Sequence, residues 1–206
     1  MPPLQPSKIV CVGRNYAAHA RELGNDVPSE PLIFLKPPSS LIRTGESIRL
    51  PTVSKQVEYE GEIGVVIGSR LRRAGLAEAR SAIAGIVAAN DVTARDLQKS
   101  DSQWTRAKGF DTFCAVGEMA AAPADLASLV VRTRVNGKVR QEGRYTKLVF
   151  DIPAVLVYIS AVMTLEAGDL VLTGTPEGVG TLHPGDVVEV EIDGLSRVSN
   201  PVISDS

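Results

Sequence analysis

The chain has 206 residues, is 44% apolar, and carries a net charge of -2 with only two cysteines. That length can bury a sizeable core, the lack of a basic cluster leaves no nucleic-acid footprint, and Cys11 and Cys114 cannot make a disulfide framework and read as buried thiols. No basic-then-apolar leader opens the chain, and no apolar run approaches the roughly 20 residues of a membrane helix, so the expectation is a soluble cytoplasmic protein with neither nucleic acid nor membrane as partner.

In chain order, a Pro-rich tail (about residues 1–7) leads into a strand at Lys8–Val12. Asn15–Leu23 reads as a short helix ended by Gly24-Asn25. Leu32–Leu35 reads as a strand before the Pro37-Pro38 break. Val57–Gly68 is rich in β-branched residues and reads as one strand. Leu76–Ile83 is Ala-rich and helical, and Ile83–Asp91 is an apolar stretch closing on an acid. Val130–Val135, Asn136-Gly137 and Lys138–Gln141 form a hairpin pattern, since Asn-Gly suits a type I′ turn. Asp151 caps a helix that has Pro153 in its first turn and runs to about Ser160. Asp169–Thr173 and Asp186–Ile192 are further strands. Strands outnumber helices without regular alternation, which points away from a doubly wound α/β fold and towards an α+β, β-rich roll of mixed sheets.

Three acids carry the functional reading. Side chains two apart on a strand share a face, so Glu60 and Glu62 project side by side. Asp91 ends a buried strand, where an unpaired carboxylate is costly. Carboxylates so placed suit hard cations such as Mg2+ or Mn2+ rather than zinc. The same pattern also fits a solvated sheet face with Asp91 capping the next helix. His19 and Glu22 lie three apart, one helical face, which suits an oriented general base or a plain polar face. Arg95 and Gln98 share that spacing after Asp91. Lys108 follows an aromatic residue and precedes Gly109-Phe110, fitting an oxyanion stabiliser or a snorkelling lysine. Leu172–Gly180 is a strand entering a Gly-rich loop that contains Thr175; it lacks both the P-loop ending and the dinucleotide fingerprint. His183 falls in a turn and reads as surface.

Taken together, in this order, several segments resemble the fumarylacetoacetate hydrolase family. They are Gly13-Arg14-Asn15-Tyr16 with His19 and Glu22; Phe34-Leu35-Lys36-Pro37; Glu60-Gly61-Glu62-Ile63-Gly64; Asn90-Asp91 through Gln98; Trp104 through Lys108; and Leu172 through Pro176 with Gly178-Val179-Gly180. The resemblance runs from about Lys8 to Gly194 and is to the short, single-domain members. It implies a mixed β-sandwich roll over the single catalytic domain 1–206, usually as a homodimer. It implies Mg2+ or Mn2+ on Glu60, Glu62 and Asp91, and a catalytic dyad of His19 and Glu22 on a mobile lid spanning about residues 15–30. It sets Lys108 as a catalytic group, with Arg14, Arg95, Gln98 and Thr175 around a small 2-oxo acid. One segment departs from the family pattern, Gly143-Arg144-Tyr145-Thr146-Lys147-Leu148, where Arg144 and Lys147 either contact a distal anion or simply face water.

The chemistry that the resemblance implies runs through an enolate, with the ion as Lewis acid. The resemblance does not choose the outcome, because one shared intermediate serves all three reactions; acylpyruvate hydrolysis is ranked first, oxaloacetate decarboxylation second and hydroxyheptadienedioate isomerisation third. From other classes, a non-catalytic metal-stabilised binding module would close the ion's coordination shell. A phosphoesterase would need a second acidic cluster that the sequence lacks.

Overall fold

A computed structural model describes residues 4–205, so the start of the Pro-rich tail lies outside the described residues. Five short strands come first: β1 (Ile9–Gly13), β2 (Leu32–Lys36), β3 (Leu41–Arg43), β4 (Ile48–Leu50) and β5 (Val57–Tyr59). The long pair β6 (Gly61–Ile67) and β7 (Ile83–Asp91) follows, then β8 (Thr93–Ala94) and β9 (Cys114–Val116). The second half holds β10 (Val130–Val135), β11 (Lys138–Arg144), β12 (Leu170–Leu172), β13 (Gly180–Thr181), β14 (Val187–Ile192) and β15 (Ser196–Ser204). The α-helices are α1 (Ala17–Glu22), α2 (Leu76–Ser81), α3 (Arg95–Ser100), α4 (Thr105–Lys108) and α5 (Ile152–Val162).

The strands form a seven-stranded sheet ordered β2-β1-β12-β6-β7-β9-β3, a five-stranded sheet ordered β11-β10-β14-β15-β4, and a three-stranded sheet ordered β13-β5-β8. This is the expected β-rich α+β roll with mixed pairing: β1 runs parallel to β12, and β6 runs antiparallel to both β12 and β7. Two apolar layers cover the large sheet, and the period-2 alternation of a strand divides its residues between them. Val10, Val12, Ile63, Val65, Ile86 and Ala88 face the main core, where β10, β14 and β15 close the sandwich. Ile9, Cys11, Val66, Val87, Ala89 and Leu172 face the opposite side and form a smaller cluster. Burial on both faces explains why the central strands read as continuous apolar runs. Both cysteines are free and buried; burial pushes both thiols up, Cys114 to about 12.

Local expectations hold where turn and cap chemistry dictates them. Asn136 and Gly137 both adopt positive φ, 52° and 76°, as a type I′ hairpin requires. The Asp151 side chain accepts from Ala154 N at 2.8 Å and starts α5. Two readings need correction. The strand expected over 57–68 is two strands in different sheets, because Asn90 Oδ1 takes the Glu60 N–H at 2.9 Å and interrupts the ladder there. The helix expected to reach Ile83 stops at Ser81, since Ile83 already pairs with Ile67 in the large sheet.

Candidate active site

The strand break turns out to place the acids. Glu60 occupies the corner between β5 and β6, and its carbonyl accepts from Asp91 N at 2.8 Å. By parity Val87, Ala89 and Asp91 share the face of the smaller cluster, so β7 delivers Asp91 to its end. Glu62 reaches the same place from β6. Carboxylate oxygens of Glu60, Glu62 and Asp91 lie within 4.8 Å of one another, and all three residues are buried. Asp91 does not cap the following helix: the residue before α3 is Ala94, and no side chain caps it.

Three buried cations hold this cluster. Lys108 Nζ donates to Glu60 Oε2 at 2.7 Å and to Asp91 Oδ2 at 2.6 Å. Lys36 Nζ donates to Asp91 Oδ1 at 2.6 Å and to the Val92 carbonyl at 3.1 Å. Arg95 forks between Glu58 and Glu60, with Nε 2.7 Å from Glu58 Oε2, and also donates to Gln98 Oε1. Four carboxylates, Glu58 included, thus face three cations, leaving one negative charge unmatched. Burial works against the charge on Glu60, but Lys108 and Arg95 outweigh it and hold the carboxyl far below its usual range. Glu62 is the opposite case. Burial, then the charges of Asp91 and Glu60, push it well above the usual range, against which stand the charge of Lys108 and the Gly174 N–H at 2.7 Å. Burial would lower Lys108, yet Asp91 and Glu60 raise it. The surplus charge on three converging hard oxygen donors is relieved by a proton or by a cation, so the donor set fits a hard divalent ion.

Helix α1 lies over the same cavity. His19 is buried, and its Nδ1 stands 3.1 Å from Glu22 Oε2. A carboxylate accepts only, so Nδ1 carries the proton and leaves Nε2 as the basic nitrogen. The other oxygen of Glu22 accepts from Gly178 N at 2.9 Å. Gly178 sits at φ 96°, and a Cβ there would come 2.2 Å from the Arg140 carbonyl, so only glycine presents that N–H. Below α1, the Asn15 side chain accepts from Phe150 N and donates to the Phe150 and Thr173 carbonyls. Thr175 Oγ1 donates to the Gly61 carbonyl and accepts from Gln141 Nε2, tying the Gly-rich loop under the acids.

Nine of the ten residues expected at the site line one cavity of about 210 Å³, and the tenth, Glu22, bonds to His19 from outside the lining. Arg144, the last residue of β11, and Lys147, in the turn that follows, do not belong to its lining and are exposed. His183 is likewise exposed, in a turn closed by Asp186. Sequence reasoning gave no role to Lys36, Glu58, Lys99 or Gln141. Lys36 had one usable signal, a lysine closing an apolar strand inside a matched segment.

The family profile described as "Fumarylacetoacetate (FAA) hydrolase C-terminal" matches residues 8–203. The chain belongs to the fumarylacetoacetate hydrolase family. An oxaloacetate tautomerase of Arabidopsis thaliana mitochondria is 45% identical to this family member over 200 residues, covering 94% of this chain and 90% of that one. A solved structure of 2-hydroxyhepta-2,4-diene-1,7-dioate isomerase from Mycobacterium marinum is 46% identical, with a TM-score of 0.91, over 99% of this chain and 77% of that one. A fumarylpyruvate hydrolase from Pseudomonas aeruginosa, solved with Mn2+ and pyruvate, is 31% identical with a TM-score of 0.90, over 97% and 91%. This family member is therefore an enzyme of a fold whose relatives isomerise, tautomerise and hydrolyse. Among its described residues no helix is long and apolar enough to cross a membrane.

Proposed function

We propose that this enzyme moves a proton at C3 of a small 2-oxo acid, interconverting keto and enol forms, with a divalent hard cation on Glu60, Glu62 and Asp91. One observation carries the reading: a buried imidazole, aligned by Glu22, shares a small cavity with three converging carboxylates. The names of the tautomerase and isomerase relatives support it. A cation bound there supplies Lewis acidity for a 2-oxo carbonyl. His19 Nε2 takes the C3 proton and returns it to the enolate carbon or oxygen. Glu22 keeps the ring in its productive tautomer and offsets the imidazolium charge that forms on His19. Lys108 and Arg95 keep Glu60 ionised. Gln98, its Oε1 held by Arg95, is left with its amide N–H groups for the substrate. Helix α1, lying over the cavity, excludes bulk water from the enolate.

The test follows oxaloacetate by proton NMR in D2O and by enol absorbance, with Mg2+ or Mn2+. Accelerated C3 exchange that disappears with chelator and with His19→Ala is expected. Pyruvate with CO2 as the main product would instead make decarboxylation the reaction. Absence of any turnover of 2-oxo acids in the metal-loaded enzyme would remove the reading altogether. Acylpyruvate hydrolysis is the second reading, favoured by the same basic Nε2, which can deprotonate an admitted water, and by the name of the fumarylpyruvate hydrolase neighbour. Pyruvate with a carboxylic acid is its signature.

A further inference from the structure

The cations of the cavity fall into two groups. Lys36, Arg95 and Lys108 are buried and fully committed to acids. Arg14 and Lys99 line the cavity at its rim, and among the described residues neither makes an ion pair or a side-chain hydrogen bond to the protein. The acids next to Lys99 are spoken for: Asp96 takes Ser54 and Lys55, and Asp101 takes Arg106. Lys99 lies four residues after Arg95 on α3, so it stands on the same helical face, about 6 Å further along the axis. Arg14 is held in the left-handed region at φ 58°, a conformation that a non-glycine residue adopts only under strain. It follows Gly13, where a Cβ would come 2.8 Å from Trp104, and its guanidinium lies 6.0 Å from the centre of that indole. Phe34 fixes the indole edge-on at 5.2 Å. Local strain and an aromatic shelf thus hold one unpaired cation in the lining of the cavity that Lys99 also lines.

We propose that Arg14 and Lys99 form a subsite for a second anionic group of the substrate, which makes this enzyme selective for 2-oxo dicarboxylates over 2-oxo monocarboxylates. The inference rests on the proposed function, since it takes the 2-oxo end to lie at the three acids. The charges agree. A divalent ion turns the inner surplus of one negative charge into one positive charge, enough for one carboxylate, and the two rim cations answer the other. Lys99 selects by charge on a flexible stem; Arg14 adds a planar fork that is already oriented.

Calorimetry on the Mn2+-loaded protein separates the possibilities with two ligands of near-equal length, 2-oxoglutarate and 2-oxohexanoate. The wild type is expected to bind the dicarboxylate about tenfold more tightly. Lys99→Gln and Arg14→Gln should each cut that preference about threefold, and the double variant should abolish it. Equal affinities in the wild type, or a preference unmoved by both substitutions, would overturn the subsite and leave the proposed function standing. Failure of both ligands to bind the loaded protein would overturn the two together.

Discussion

The two faces of the seven-stranded sheet are built from the same strands yet do opposite things. On one, Ile63, Val65, Ile86 and Ala88 pack dry against the five-stranded sheet. On the other, the same β6 and β7 carry Glu62 and Asp91 into a nest of buried charge, on the face that holds Val66, Val87 and Ala89. A one-residue step along the strand separates a position that stabilises from one that destabilises unless something is bound. The difference teaches that this fold keeps its stability and its chemistry on separate faces, so that substitutions can strike either alone.

The sharpest break comes from Asp91→Asn. It removes a proposed ion ligand, and turnover is expected to fall a thousandfold or more, about 4 kcal/mol. Circular dichroism should still report a folded protein, and Mn2+ calorimetry should show weakened binding; unchanged binding would refute the assignment. His19→Ala is expected to slow turnover by 10²–10⁴, as loss of a general base does, while oxalate, which needs no proton transfer, still binds. Ile86→Ala strikes the other face. Ile86 is fully buried, so its truncation is expected to cost about 3 kcal/mol in urea unfolding, with kcat within about twofold. A large kcat loss there would mean that the faces are not independent.

The smallest effect lies at the starts of β1 and β12, where Asp169 accepts from Ser7 Oγ at 2.7 Å, from Glu166 N at 2.8 Å and from Lys8. Burial opposes its charge, but the bonds from Lys8 and Ser7 outweigh it and hold the carboxyl below its usual range. Because the folded value is depressed, this contribution is present above the unfolded value of about 3.9 and is lost as pH falls through the folded one. Asp169→Asn should therefore lower Tm near neutral pH by the equivalent of about 1–2 kcal/mol, and the gap to wild type should close below about pH 4. A gap constant with pH would assign the loss to packing instead.

Much of this was legible in the residues. The Asn136-Gly137 turn, the Asp151 cap and the apolar runs of β6 and β7 are local signals, and local physics decided them. The triad was legible because its spacing is fixed by strand parity and by matched segments. The break at Glu60 was not, since Asn90, thirty residues on, supplies the group that ends the ladder. Lys36 and Gln141 escaped for the same reason: their partners are distant in sequence. Lys99 reads as an ordinary exposed lysine until the partners of Asp96 and Asp101 are known. Arg144 and Lys147 misled because a departure from a pattern shows where the chain differs, not which way its side chains point.

Glu22 spends its two oxygens on two different parts of the molecule, the imidazole of α1 and the backbone of the Gly-rich loop. A pH–rate profile of Glu22→Gln reads that double bond, which should weaken the base without emptying the cavity. A displacement of α1 that parted the helix from the loop would strip the Gly178 N–H from the carboxylate that aligns His19. Under the proposed function, loss of enclosure and loosening of the base would then coincide.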